Sequence, residues 1–297
     1  MELSNVCGLI NMGNTCFLNS ALQLLVSCNV LTKYILNNNF KSSFIQIYKR
    51  FLNNYMNNDR FSPSELIQKI NEKNDFFKDG KQHDSHEFLI ILIDILEEEF
   101  NLEYKSSGKK IVGIELNKLF NTIFGTKLAS IIICDETNEK SKSKSKERIL
   151  SLPIPKKIKL NLQVCMKHFL EVEELTDDNK WYSEKNNKKY DALKQLYIKS
   201  YPKYLIIHLK RFSYHDNSGS SKNNSEVEMN QCMKLKNNNY SLRAIIIHSG
   251  STNGGHYISI VNKNNQWYLC NDSNITKIQN IDKYINIGYI YLFVKNK

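Results

Sequence analysis

Cys16 and His256, 240 positions apart, are the residues whose types could carry covalent chemistry. A cysteine nucleophile needs thiolate character, a base within hydrogen-bond reach, and donors aimed at the oxygen that becomes negative during attack. From Cys16 onward, Phe17, Ala21, Leu24 and Cys28 recur at spacings of four, three and four, which is helical. Asn14 or Thr15 can cap that helix, so Cys16 is expected at its positive end, where backbone N–H groups favour a thiolate. A lone cysteine at helical spacing is more often a small buried hydrophobe, so its context has to decide. His256 follows Gly254 and Gly255, which permit close backbone approach to a substrate, and a β-rich run comes directly after it.

A histidine base needs a third group to orient it, and either Asn271 or Asp272 could serve. If Tyr257 to Val261 and Trp267 to Asn271 form a hairpin, a turn centred between Lys263 and Asn264 sets His256 opposite Asn271. A turn centred on Asn264 sets it opposite Asp272. Neighbouring strand residues point to opposite faces, so only one of the two can face His256 within regular pairing.

The elements that must position these groups change character along the chain. The first hundred residues read as mainly helical, and Asp84-Ser85-His86-Glu87 resembles a capping box before Phe88, Leu89, Leu92, Ile93 and Leu96. From Ile111 onward short β-rich runs dominate: Ile131 to Cys134, Tyr204 to Leu209, Ala244 to His248, Tyr257 to Val261, Trp267 to Cys270 and Tyr289 to Val294. The stretch 213–239, rich in Asn, Ser and Lys, reads as a surface insertion with little structure. Lys140, Lys142, Lys144 and Lys146 alternate with serines and read as a solvated loop.

Gly8-Leu9-Ile10-Asn11-Met12-Gly13-Asn14-Thr15-Cys16-Phe17-Leu18-Asn19-Ser20 closely resembles the cysteine box of ubiquitin-specific proteases. The segment from His248 to Ser259 resembles their histidine box, and Trp267 to Ser273 the segment that orients the histidine. Further resemblances lie in Gln82 to Leu89, Leu162 to Phe169 with Glu174-Leu175, and Tyr201 to Phe212. The resemblance implies a papain-like α+β fold: a helical thumb over 1–110, reduced fingers over 111–200 and a β-rich palm over 201–297, together one catalytic domain. It implies Cys16 as nucleophile, His256 as base, Asn11 as oxyanion donor, and Asn271 as orienting residue with Asp272 as auxiliary. It also implies that Asp84 and Glu87 hold the tail of ubiquitin, with Tyr257 and Gly255 beside it; for the two carboxylates a capping role is equally expected.

Many members of that family carry two Cys-x-x-Cys pairs that bind zinc. Here the four positions are Cys134, Thr137, Ser183 and Asn186, and one thiolate cannot make the usual tetrahedral site, so no metal and no cofactor is expected. His83, His86 and Glu87 lack the spacing of the His-Glu-x-x-His metalloproteases. The net charge of +11 invites a nucleic-acid reading, but no basic stripe interleaved with aromatics accompanies it. Seven scattered cysteines, no visible secretory signal and no apolar run of membrane-spanning length point to a soluble intracellular monomer, cytoplasmic or nuclear. Expected partners are ubiquitin and ubiquitinated proteins, with no nucleic acid and no membrane. The rival readings are a ubiquitin-binding pseudoenzyme and a protease for another ubiquitin-like modifier. The Asn- and Lys-rich composition hints at an AT-rich genome, such as that of a protist or large DNA virus.

Overall fold

A computed structural model of the chain describes residues 5–107, 110–111, 114–115, 118–215, 219–252 and 254–296. Five helices fill its first part: α1 (Cys16–Val26), α2 (Asn29–Asn37), α3 (Ser43–Asn57), α4 (Ser64–Lys73) and α5 (Ser85–Ser107). All eleven residues of α1 are buried, because its largely apolar surface is enclosed between α5 and the strands that follow. Its buried polar side chains find partners: Gln23 donates to Cys7 O at 2.6 Å and accepts from the Tyr55 hydroxyl at 2.5 Å. At the start of α5, Asp84 Oδ1 accepts from the His86 N–H at 2.7 Å, the cap expected from the sequence.

The second part is built on one long sheet. Its strands run in the order Asn274–Ile278, Gln266–Asn271, Gly254–Lys263, Asn238–Ser251, Ile290–Lys295, Tyr204–Lys210 and Ile149–Pro153, and Cys232–Leu235 pairs with Asn238–Ser251. All pairings are antiparallel except the last, between Tyr204–Lys210 and Ile149–Pro153. Period-two alternation splits each central strand between two cores. Ile206, Ala244, Ile246, Ile290 and Leu292 join the helices, while Leu205, Ile207, Ile245, Ile247, Tyr291 and Phe293 join the opposite layer with Leu162 and Ile285.

The segment expected to form reduced fingers builds a second antiparallel sheet, ordered Glu139–Glu147, Thr126–Cys134, Ala192–Ser200 and Glu173–Leu175, with a hairpin of Trp181–Ser183 and Lys188–Tyr190 beside it. The lysine-serine run is therefore a strand and not a loop. Every residue of Glu139–Glu147 pairs with one of Thr126–Cys134, and the run stays largely exposed along the sheet edge. Main-chain pairing needs no apolar side chains, and lysines on an edge discourage further strand addition.

The polar stretch 213–239 is also more ordered than its composition suggests. Phe212–His215 pairs with Gly219–Lys222, Cys232–Leu235 joins the long sheet, and Val227 and Met229 are buried in the core. The buried Arg211 guanidinium donates to the carbonyls of Asn223, Ser225, Asn286 and Gly288 and ties the stretch down. A few anchors fix a segment whose average polarity reads as disorder.

Of the four positions that the resemblance aligns with zinc ligands, three meet Glu139 within the fold. Cys134 stands opposite Glu139 in the hairpin, and Ser183 Oγ and Asn186 Nδ2 both donate to Glu139 Oε1, at 2.8 and 2.7 Å. Among the described residues no group of three or more His, Cys, Asp or Glu side chains could hold a metal ion. Elemental analysis of the purified protein should find no stoichiometric zinc, and chelators should leave its melting temperature unchanged. One zinc per chain would show a ligand set other than these four.

Candidate active site

Cys16 is the first residue of α1 and only 2% exposed. Thr15 occupies the cap position without making a side-chain cap bond; its hydroxyl accepts from Met12 N at 2.9 Å and donates to Asn11 Oδ1 at 3.1 Å. Asn11 Oδ1 also accepts the N–H groups of Gly13 and Thr15, in a turn where Gly13 and Asn14 take φ of 92° and 57°. With its oxygen so anchored, the amide must donate from Nδ2. One hydrogen goes to Asp272 Oδ2 at 2.9 Å, and the second makes no hydrogen bond among the described residues.

Burial raises the Cys16 thiol above its ordinary value; the N–H groups of Tyr257, Phe17 and Cys16 offset part of that, and Asp272 adds to the rise. Desolvation thus opposes the thiolate character expected from the helix start.

His256 lies on the strand Gly254–Lys263, against which α1 packs. Its Nε2 donates to Asn271 Oδ1 at 2.7 Å, which leaves Nδ1 as the basic nitrogen. Among the described residues no hydrogen bond joins the ring to the thiol. The pairing Lys263↔Gln266 centres the turn between Asn264 and Asn265, one residue beyond the first expected position and half a residue beyond the second. Both turn residues take positive φ, 51° and 62°, as a two-residue hairpin turn of this kind requires. Relative to the first expected register the slip is two residues in partner number. It therefore preserves the face, and Asn271 meets His256 as a diagonal neighbour instead of a direct partner.

Asp272 leaves the sheet with φ of 49° and approaches the same place from the turn. Its Oδ2 lies 4.0 Å from His256 Nε2, while its Oδ1 accepts from Asn19 Nδ2 at 2.8 Å. Asn19, one turn after Cys16 and 2% exposed, also donates to Leu9 O at 3.1 Å. The sequence reading gave Asn19 no role. A buried amide on an otherwise apolar helix turn is the signal that could have found it.

A cavity of about 250 Å³ opens beside these groups, lined by Gln82, Asp84, Glu87, Phe212, His248, Thr252, Gly254, Gly255 and Tyr257. Asp84 is committed within the fold, since its Oδ2 accepts from the Tyr289 hydroxyl at 2.5 Å. Glu87 is exposed on the first turn of α5, and burial followed by Asp84 raises its carboxyl. A Cβ on Gly255 would stand 2.2 Å from His248 Nε2 and 2.3 Å from the Ser249 carbonyl oxygen, so the protein's own packing demands that glycine. The close approach anticipated for a substrate remains available at Gly254, where such an atom meets only Gln82 Oε1 at 3.6 Å. Gln82, another residue to which the sequence gave no role, accepts from the Gly255 N–H at 2.8 Å across the cleft.

Burial favours the neutral form of three histidines, His248 in the cleft wall and the stacked pair His86 and His208. Burial pushes His86 and His248 down to about 4, and burial likewise pushes His208, stacked on His86 at 3.7 Å, well below its ordinary value. Their pKa values in the folded chain lie below the unfolded value of about 6.5, so the unfolded state binds more protons as pH falls. Their contribution is complete above about pH 6.5 and is lost progressively toward pH 4. The raised carboxyls of Asp84 and Glu87 act in the opposite sense at lower pH. The urea unfolding midpoint should therefore fall between pH 7.5 and 5.5, and a flat profile over that range would contradict the burial of these rings.

The family model described as ubiquitin carboxyl-terminal hydrolase matches residues 7–293. The probable ubiquitin carboxyl-terminal hydrolase 16 of Schizosaccharomyces pombe is 29% identical, over 99% of this chain and 68% of its own length. The ubiquitin carboxyl-terminal hydrolase Usp2 of Drosophila melanogaster is 29% identical over 90% of this chain, which spans about a third (32%) of that longer protein. Among solved structures, the SAGA DUB module Ubp8/Sgf11/Sus1/Sgf73 bound to monoubiquitin has a chain that superposes with a TM-score of 0.82 at 25% identity, covering 100% of this chain and 71% of its own. With its α+β, papain-like fold and a family model that matches residues 7–293, the chain belongs to the ubiquitin carboxyl-terminal hydrolase family, the cysteine-type deubiquitinating enzymes.

Proposed function

We propose that the chain hydrolyses the peptide or isopeptide bond after the C-terminal glycine of ubiquitin, with Cys16 as nucleophile. The observation that carries this reading is the bond from His256 Nε2 to Asn271 Oδ1, because it fixes the tautomer in which Nδ1 can take a proton. Cys16 Sγ attacks the glycine carbonyl carbon while its proton passes to His256 Nδ1. The carbonyl oxygen becomes negative and accepts from the free hydrogen of Asn11 Nδ2 and from the Cys16 N–H. When the oxyanion collapses, the C–N bond breaks and the imidazolium returns its proton to the leaving amine. Water, deprotonated by the same ring, then hydrolyses the thioester and restores the thiol.

Glu87 is the carboxylate best placed to meet the arginine of the Leu-Arg-Gly-Gly tail, and Asp84 supports the cleft wall through Tyr289. Ubiquitin carrying a C-terminal fluorogenic amide tests the proposal. Turnover by the purified chain, inhibited by ubiquitin aldehyde, is expected. Tight binding without turnover would instead identify a binding module, and turnover confined to another ubiquitin-like modifier would reassign the substrate.

A further inference from the structure

Gly254–Lys263, the strand that carries His256, is paired on both sides along only part of its length. On one side it meets Asn238–Ser251 from Gly254 to Val261, whereas on the other its pairing with Gln266–Asn271 stops at Ser259↔Cys270. Asp272 then leaves the sheet, so residues 254–258 present a free strand edge to the cleft. Main-chain groups alternate sides along an antiparallel strand, so Gly255 and Tyr257 direct theirs the same way. The Tyr257 N–H faces the Cys16 sulfur, and the Gly255 N–H, one strand repeat or about 7 Å earlier, meets Gln82 Oε1 at 2.8 Å.

Gln82 reaches this edge from the loop before α5, and that loop is fixed to both flanks of Cys16. Asn14, two residues before Cys16, donates from Nδ2 to Gly80 O at 3.0 Å. The His83 ring packs edge-on against Phe17, the residue after Cys16, with centroids 5.5 Å apart, and its Nε2 bonds Asp79 Oδ1 at 2.6 Å. The Gln82 side chain itself is exposed, and its Nε2 makes no hydrogen bond among the described residues. Gln82, Gly254, Gly255 and Tyr257 line the same cavity. A primary amide is a peptide group in miniature, so its oxygen meets the Gly255 N–H as the carbonyl of an added strand would.

We infer that Gln82 is a specificity-determining residue: it holds the place of a substrate main-chain carbonyl on the free edge at Gly255, and the extended tail of ubiquitin displaces it on binding. This rests on the deubiquitinase reading above. With the scissile carbonyl at Cys16, the carbonyl one strand repeat earlier on the same side of the tail belongs to the arginine of Leu-Arg-Gly-Gly, and that group takes the Gly255 N–H. A ligand without extended main chain at that point leaves the edge to Gln82.

Gln82→Leu, which keeps the bulk and removes the acceptor, and Gln82→Ala, which removes both, test this in the full chain. As the tail enters, the parent exchanges one hydrogen bond for another, whereas the variants only gain one. The KM for ubiquitin carrying a C-terminal fluorogenic amide should therefore fall by about 2- to 10-fold in both, the range of one net hydrogen bond, with kcat within about two-fold of the parent. Without substrate, deuterium exchange at the Gly255 amide should be about 2- to 10-fold faster in both variants and stay slow in Gln82→Glu, which keeps an acceptor. Ubiquitin aldehyde should make it slow again in Gln82→Leu. An unchanged or higher KM in an active enzyme, a kcat lowered in place of KM, or a Gly255 amide that stays fast with ubiquitin aldehyde bound would overturn the inference and leave Gln82 a support of the cleft wall. No turnover of ubiquitin by parent and variants alike, with the exchange differences intact, would instead fail the substrate reading, and the inference with it.

Discussion

Ubiquitin bearing a C-terminal electrophile should attach to Cys16 and leave Cys232 unmodified, although Cys232 is the exposed cysteine and Cys16 is buried. A small alkylating reagent should show the reverse order and react first at Cys232. The contrast follows from where each sulfur gains reactivity. Cys232 is merely accessible, with only the Ser241 hydroxyl at 3.7 Å. Cys16 has a thiol raised by burial and reacts only when a bound carbonyl and His256 draw its proton away. Cys7 and Cys270 are pushed up to about 12 by burial, with no histidine bonded to either, and should stay silent toward both reagents. Cys16→Ala should abolish the ubiquitin adduct and lower turnover by about 10⁶-fold, the scale on which removing a catalytic nucleophile acts, with ubiquitin affinity retained. An adduct that survives the substitution would place the nucleophile elsewhere.

The second large effect concerns the two residues after Cys270. Asn271→Ala should reduce kcat by about 10³- to 10⁴-fold, since it frees the His256 ring to rotate and to adopt the wrong tautomer. Asn271→Asp should retain substantial activity and raise the His256 pKa, because a carboxylate keeps the bond and adds a favourable charge. Asp272→Ala should cost less and by a different route. Its carboxylate holds Asn11 Nδ2 at 2.9 Å, so its loss leaves the proposed oxyanion donor unaimed. Asn11→Ala should lower kcat by roughly 10²- to 10³-fold with ubiquitin binding little changed. The double variant Asn11→Ala/Asp272→Ala should then be scarcely worse than Asn11→Ala alone, as expected for two groups acting as one unit. Full additivity would show that Asp272 acts on His256 directly, across the 4.0 Å that separates them.

How far these arrangements could be read from the sequence depended on the range of the forces that set them. Five strands of the long sheet were legible because β-rich runs are a local signal, and the start of α5 because its cap lies within three residues, whereas Ile149–Pro153, Cys232–Leu235 and Asn274–Ile278 went unread. The hairpin register was missed by counting from the wrong turn. Asn264 and Asn265 both tolerate left-handed backbone, and a pair of them calls for a two-residue turn centred between them. The face of Asn271 survived the error, since an even slip does not exchange faces. Asn19 with Asp272, Gln82 with Gly255 and Asp84 with Tyr289 join residues 253, 173 and 205 positions apart, and no local pattern encodes such meetings. What opposes the expected thiolate was hidden for a related reason: the helix start is visible in sequence, whereas burial by the strand beyond it is not.

The edge strand Glu139–Glu147 bears on how the molecule behaves in company. Its outer row of main-chain donors and acceptors is a template on which a second molecule could add a strand, and one such addition leaves a fresh edge for the next. Lys140, Lys142, Lys144 and Lys146 confront any second copy with the same four charges, so head-on pairing is repelled before hydrogen bonds can form. That repulsion weakens with ionic strength and vanishes on acetylation of the amines, which makes salt and lysine chemistry the conditions under which this enzyme would begin to polymerise.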